Sequence, residues 1–151
     1  MGVTDEPTKS SEKLVAQTLE RSYDAMKKIN EYDQTEVDEL VQGIAWAICE
    51  DNRARELSEL AVKETGFGNV PDKINKKKRK TRGTLQEILG EPFVGVINRD
   101  EDLGLTEYAN PVGVVGAVVP STNPSATAAN LTMMSIKGRN GIVLSPSPSA
   151  Q

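Results

Sequence analysis

Histidine is absent from the 151 residues, and cysteine occurs once, at Cys49. Without histidine, a Ser-His-Asp triad, an imidazole general base and a His-ligated metal are excluded within these residues. One cysteine rules out an internal disulfide and a multi-cysteine zinc site, so no metal site is read from the sequence. Aromatic residues make up only 4%, against 37% apolar residues in all. Any core must therefore be built from aliphatic and small side chains. No apolar run approaches the roughly 18 residues needed to span a bilayer. The polar, acidic start MGVTDEPTKSSEK lacks the basic and apolar regions of a secretory signal. With 18 Lys+Arg against 22 Asp+Glu, the formal charge is −4. These limits predict a cytoplasmic chain of about one domain whose chemistry does not use histidine.

The front of the chain reads as helical. Nothing apolar ties down the first eight residues, which are expected to be unstructured. From Ser10 to about Tyr32, Val15, Leu19, Tyr23, Met26 and Ile29 recur at helical spacing. Thr35 and Asp38 resemble a capping box for a second helix, whose stripe is Val37, Leu40, Val41, Ile44, Ala45 and Ile48. Trp46 is assigned to the helical core, and Cys49 is read as a small core residue on this helix. A third helix starts at Asp51 or Asn52, turns Leu57, Leu60 and Ala61 inward, and ends on Gly66 as a left-handed cap. Residues 72–89 predict a fourth helix with Gly83 as a candidate break. Its middle, with Lys73, Lys76, Lys77, Lys78, Arg79, Lys80 and Arg82, is strongly basic. Such a run is a candidate phosphate or nucleic-acid site. The net acidic chain and the lack of interleaved aromatics favour a solvated helix face instead.

The texture turns extended near Pro92. Residues 93–98 read as a strand, 100–104 as a turn, and 106–109 as the returning strand of a hairpin. Val112 to Val119 is apolar without alternation, as expected of a strand covered on both faces in a parallel sheet. Asn123-Pro124 supplies a helix cap and a first-turn proline. The helix should run from Ala126 to about Lys137 and stop at Gly138 or at Asn140-Gly141. Gly141 to Ser145 is a second buried strand, which completes a βαβ unit, the first element of a wound α/β sheet. The fold class is thus α/β, with a helical segment over 1–92, a hairpin arm over 93–110 and the start of a dinucleotide-binding domain over 111–151. Two parallel strands leave bare edges and faces, which suggests the front of a larger protein.

Ligands of open α/β sheets sit beyond the carboxyl ends of the strands, where helices begin. Pro120, Ser121, Thr122 and Asn123 occupy that place. Thr122 and Asn123 are uncharged donors able to face an oxygen that gains negative charge. The plainer alternative is that Asn123 only caps the helix. Met133-Met134 on the crossover helix is read as packing.

The run Tyr108-Ala109-Asn110-Pro111-Val112-Gly113-Val114-Val115-Gly116-Ala117-Val118-Val119-Pro120-Ser121-Thr122-Asn123-Pro124 resembles the start of the cofactor domain in the aldehyde dehydrogenase superfamily. Ser135-Ile136-Lys137-Gly138-Arg139-Asn140-Gly141-Ile142-Val143-Leu144-Ser145-Pro146 and Lys63-Glu64-Thr65-Gly66-Phe67-Gly68 narrow the resemblance to its CoA-acylating branch. The resemblance implies an oxidoreductase that converts an aldehyde to an acyl-CoA, using NAD or NADP with coenzyme A as co-substrate. A cysteine thiolate would attack the aldehyde, and that cysteine is expected beyond Gln151 rather than at Cys49. It also implies oxyanion candidates Asn123 and Thr122, and cofactor contacts at Pro120, Ser121, Ser145, Pro146 and Ser147. Non-acylating relatives carry an asparagine two residues after the proline, where this chain has Thr122, so either residue can take that role. They also place a lysine on the ribose where this chain has Ser145. The hairpin resembles the assembly arm of the superfamily, implying a homo-oligomer at full length. Taken alone, the chain is expected to be inactive. The competing reading is a non-catalytic remnant or assembly module that binds related subunits.

Overall fold

Among the described residues four helices come first: α1 (Lys9–Ile29), α2 (Gln34–Cys49), α3 (Asp51–Thr65) and α4 (Val70–Ile88). They are followed by β1 (Gly95–Asp100), β2 (Leu105–Ala109), β3 (Val114–Val119), α5 (Pro124–Lys137) and β4 (Gly141–Pro146). This computed structural model describes residues 9–150. The expectation for the first eight residues lies outside the described ones.

Local chemistry explains most of the boundaries. The capping box of α2 is Asp33 with Glu36, not Thr35 with Asp38: the Asp33 carboxylate accepts from the Glu36 amide at 2.9 Å, and the Glu36 carboxylate accepts from the Asp33 amide at 2.9 Å. The box falls earlier because the helix already begins at Gln34, which leaves the Asp38 side chain free for a tertiary contact. Glu50 ends α2 and caps α3 at once, accepting from the amides of Asn52 and Arg53. Gly66 closes α3 at φ 68°, the left-handed conformation that glycine adopts without a steric penalty. Gly83 does not interrupt α4, which is continuous from Val70 to Ile88. A single glycine costs a helix about 1 kcal/mol, which the packing of α4 against α2, α3 and α5 readily offsets.

The core lies where α2 meets α5. Val41, Ala45 and Met133 are buried together, with Ile44, Leu85, Ile88 and Ile136 around them. Alanine and serine do much of the remaining work, with Ala54, Ser58, Ala61, Ala126 and Ala129 all buried. Small residues let helices approach closely in a chain poor in aromatics. Several expectations need correction here, and Leu40 of the α2 stripe is among the exposed residues. Trp46 is 71% exposed on the outer side of α2, because the inner side is filled by Val37, Val41, Ala45 and Cys49. The inner line of α3 is Ala54, Ser58 and Ala61, while Leu60 is exposed. On α1 only Ile29 is buried, and Val15, Leu19 and Tyr23 stay exposed. Met133 packs as expected, but its neighbour Met134 is exposed.

The strands form two separate pairs. β1 and β2 are antiparallel, with an irregularity between Val96 and Asn98, and the turn is held by the Leu103 amide donating to the Asp100 carboxylate at 2.9 Å. β3 and β4 are parallel, running in register from Val114↔Gly141 to Val119↔Pro146, with α5 as the crossover. The sequence reading had both faces of β3 covered. Instead Ala117 and Val119 are buried while Val118 is 80% exposed: α1 reaches the start of the strand pair, and the far end of that face stays uncovered among the described residues.

Two neighbouring side chains brace this βαβ unit, one within it and one against the rest of the chain. The Asn140 side-chain oxygen accepts from the amides of Val112 and Gly113, at 2.7 and 3.1 Å, just before β3 begins. Arg139, the one non-glycine residue with positive φ among those described, donates to the carbonyls of Asn30 and Ala109. Close approach fixes a third position: a Cβ on Gly141 would lie 3.0 Å from the Ser22 carbonyl and from Val114 Cγ2. The glycine lets α1 come against the start of β4, where the Ser22 hydroxyl donates to the Ile142 carbonyl.

Candidate active-site loop at the strand ends

β3 ends at Val119, and Pro120 stops the ladder because it has no amide to donate. Ser121 is half-buried, Thr122 is exposed, and Asn123 is half-buried at the N-cap position of α5, with Pro124 in the first turn. Asn123 has φ −150° and ψ 60°, and its side chain makes no capping hydrogen bond. The cap that sequence preference favoured is therefore not formed. The Asn123 amide group and the Thr122 hydroxyl both lie at the end of β3 without a partner in the surrounding helix.

The second loop lies beside the first. Ser145 and Pro146, at the end of β4, are exposed, and Ser147 follows, half-buried. The Ser147 amide donates to the Val119 carbonyl at 3.0 Å, joining the two strand ends directly. The Ser147 and Ser149 hydroxyls are 3.1 Å apart. The seven candidates named from the sequence thus gather at one end of one strand pair.

Next to them is a cleft of about 260 Å³ between α3 and the strand ends. Leu60, Ala61, Pro124, Ala128, Leu144 and Pro146 supply apolar walls, and Glu64 is its single charged residue. Of the seven candidates only Pro146 lines it. Its carbon-rich walls suit a flat ring better than a phosphate.

The basic run is less solvated than its composition suggests. Lys77 is 2% exposed, donates to the Ala54 carbonyl at 3.3 Å, and burial pushes its ammonium down to about 8. Lys78 pairs with Asp51, whose carboxyl is held below its usual range by that ammonium. Lys73 reaches the loop after β3 and donates to the Thr122 carbonyl at 3.5 Å. Burial and the neighbouring Lys76 lower its basicity. The sequence names this lysine only as one of a charge run, where a member with a tertiary partner looks like the rest.

Cys49 is buried at the end of α2, with its sulfur 4.0 Å from the Lys78 carbonyl. It behaves as the small core residue that was expected. Among the described residues, no helix is long and apolar enough to cross a membrane.

No family model matches the chain. Individual relatives do. The chain is 46% identical over 146 residues to a sulfoacetaldehyde dehydrogenase (acylating) from Cupriavidus necator, covering 97% of this chain. It spans 30% of that enzyme's length. An acetylating aldehyde dehydrogenase from Geobacillus thermoglucosidasius has a similar structure, with TM-score 0.87 and 40% identity over 91% of this chain and 30% of that one. A propionaldehyde dehydrogenase from Rhodopseudomonas palustris, solved with bound CoA and an acylated cysteine, is similar at TM-score 0.75 and 28% identity, over 89% of this chain and 30% of that one. In sequence and in fold, the chain belongs with the CoA-acylating aldehyde dehydrogenases and matches an N-terminal part of them.

Proposed function

We propose that these residues form the front portion of a cytoplasmic oxidoreductase that converts an aldehyde to an acyl-CoA, with NAD or NADP as hydride acceptor. The observation that carries this reading is the uncommitted Asn123 side chain at the end of β3. An amide at that place can donate to an aldehyde oxygen as it becomes an oxyanion. A fixed neutral donor of this kind typically contributes a factor of about 10² to 10³ in kcat. Thr122, exposed and one residue earlier, is the second donor. Pro120 and Ser121 carry the loop around the nicotinamide end, while Ser145, Pro146 and Ser147 meet the ribose. The apolar cleft beside Pro146 fits the flat adenine of NAD(P) or coenzyme A, and its lack of cations leaves the phosphates to other residues.

When bound, the nicotinamide supplies the hydride acceptor. The residues of this chain orient the aldehyde oxygen and shape the ring pocket. They do not supply the nucleophile, because their single thiol is buried in the helical core. By this reading the chain alone has no dehydrogenase turnover. Residues 1–92 act as a helical cap, 93–110 as an assembly arm and 111–151 as the start of the dinucleotide domain. The hairpin is exposed along both strands, which supports its use in a homo-oligomer.

The competing reading, an assembly module without catalysis, draws on the same exposed hairpin. A chimera separates the two. The chain replaces the matching 30% of the Cupriavidus necator enzyme, and aldehyde oxidation is followed with NAD(P) and coenzyme A. Turnover dependent on both supports the catalytic reading. A folded, oligomeric chimera without turnover overturns it in favour of the assembly module.

A further inference from the structure

Lys73 lies forty-nine positions before Thr122, the residue it touches in the loop after β3. The turn between α3 and α4 explains how it arrives. Gly66 ends α3 in the left-handed conformation, and Gly68 repeats it at φ 73°. Asn69 then caps α4, its side-chain oxygen accepting from the Asp72 amide at 2.9 Å while its amide group donates to the Asp72 carboxylate at 2.6 Å. Lys73 follows in the first turn of α4. Its stem passes over Gly68: a Cβ built there would already touch Lys73 Cε at 3.7 Å. With both left-handed turns and the cap in place, the side chain is laid back toward the end of β3.

The group it reaches is the carbonyl of Thr122. That carbonyl belongs to the peptide joining Thr122 to Asn123. A hydrogen bond at this oxygen restrains the plane of that peptide, and with it the direction from which the Asn123 side chain departs. Neighbouring lysines do not share the task. Lys77 is turned inward to Ala54, Lys78 is paired with Asp51, and Lys76 is exposed.

We propose that Lys73 is a positioning residue, whose ammonium holds the Thr122–Asn123 peptide and so aims the Asn123 amide at the substrate's carbonyl oxygen. This rests on the reading of Asn123 as the oxyanion donor. It gives the Lys63–Gly68 segment and its glycines a role in the site: they are the turn that delivers the lysine. It also adds a fixed positive charge beside the place where negative charge develops, which favours the same step.

Two measurements test this, and only one needs turnover. In the ¹⁵N-labelled 151-residue chain, Lys73→Met should move the backbone amide resonance of Asn123, which shares the peptide with the Thr122 carbonyl. Lys73→Gln, with a shorter neutral side chain, should move it likewise, Lys73→Arg should restore most of its position, and Lys76→Met should leave it in place. An Asn123 resonance indifferent to Lys73→Met and Lys73→Gln overturns the contact, whatever the chimera does. In the active chimera, Lys73→Met should lower kcat about 10-fold with KM for the aldehyde little changed, since misaiming a group by a fraction of an ångström costs rate rather than binding. Lys73→Arg should recover most of that loss. An unchanged kcat in Lys73→Met overturns the positioning role even if the resonance moves.

Discussion

Lys137, at the end of α5, forms an ion pair with Asp38 of α2, and the lysine is 1% exposed. Asp38 also accepts from the Gln34 side-chain amide at 3.0 Å, and the Gln34 oxygen in turn accepts from the Phe93 amide at 2.8 Å. The Phe93 ring lies 5.7 Å from the Lys137 ammonium, within range of a cation–π contact. One buried charge thus ties α2, α5 and the approach to the hairpin together.

Removing either partner leaves the other charge in a poorly solvated place. Lys137→Met or Asp38→Leu alone should each cost about 3 kcal/mol or more, as expected for breaking a buried pair. The double substitution should cost well under the sum of the two, because no charge is stranded. Urea unfolding of the four proteins forms the double-mutant cycle. Additive losses would show that the pair is not coupled.

Lys77 predicts a pH signature. Its ammonium titrates near 8 in the folded chain and near 10.5 unfolded, so between these values the unfolded state binds more protons. The stability penalty for burying the charge is therefore full below about 8 and is relieved as pH rises toward 10.5. Lys77→Met should stabilise the chain at pH 7 by on the order of 1–2 kcal/mol. That advantage should shrink steadily by pH 10. A constant difference between the two proteins from pH 6 to 10 would contradict this account.

Asn140 predicts a local effect. Its side-chain oxygen satisfies two backbone amides ahead of β3, so Asn140→Ala should cost about 1–3 kcal/mol. Amide hydrogen exchange should accelerate at Val112 and Gly113 before it does elsewhere. Asn140→Asp, which keeps the acceptor, should protect both amides. Uniform acceleration along the chain would point to a global loss instead of a lost clamp.

The parts of this fold that were legible in the sequence are those with local causes. Gly66 as a left-handed cap, Pro124 in the first turn of α5, and the strand–helix–strand order all follow from near neighbours along the chain. So did the gathering of Pro120 to Asn123 with Ser145 to Ser147, which the βαβ order dictates. What was hidden depends on distant partners. Periodicity marks the apolar face of α2 but not that Trp46 falls outside it. Nothing local tells Lys137 that Asp38 awaits it ninety-nine residues earlier, or which member of a basic run turns inward. Charged side chains are normally solvated, so a buried lysine is legible only once its partner is in place. Asn123 is the reverse case: cap preference pointed to a local bond that the loop conformation does not make.

The two roles weighed for Asn123 differ in what its loss does, and Asn123→Ala in the active chimera separates them most directly. The account predicts a fall in kcat of about 10² or more, with the unfolding midpoint nearly unchanged, because the side chain caps nothing and serves the oxyanion. A capping role predicts the opposite pattern, about 1 kcal/mol of lost stability with kcat retained. That second result would contradict the account.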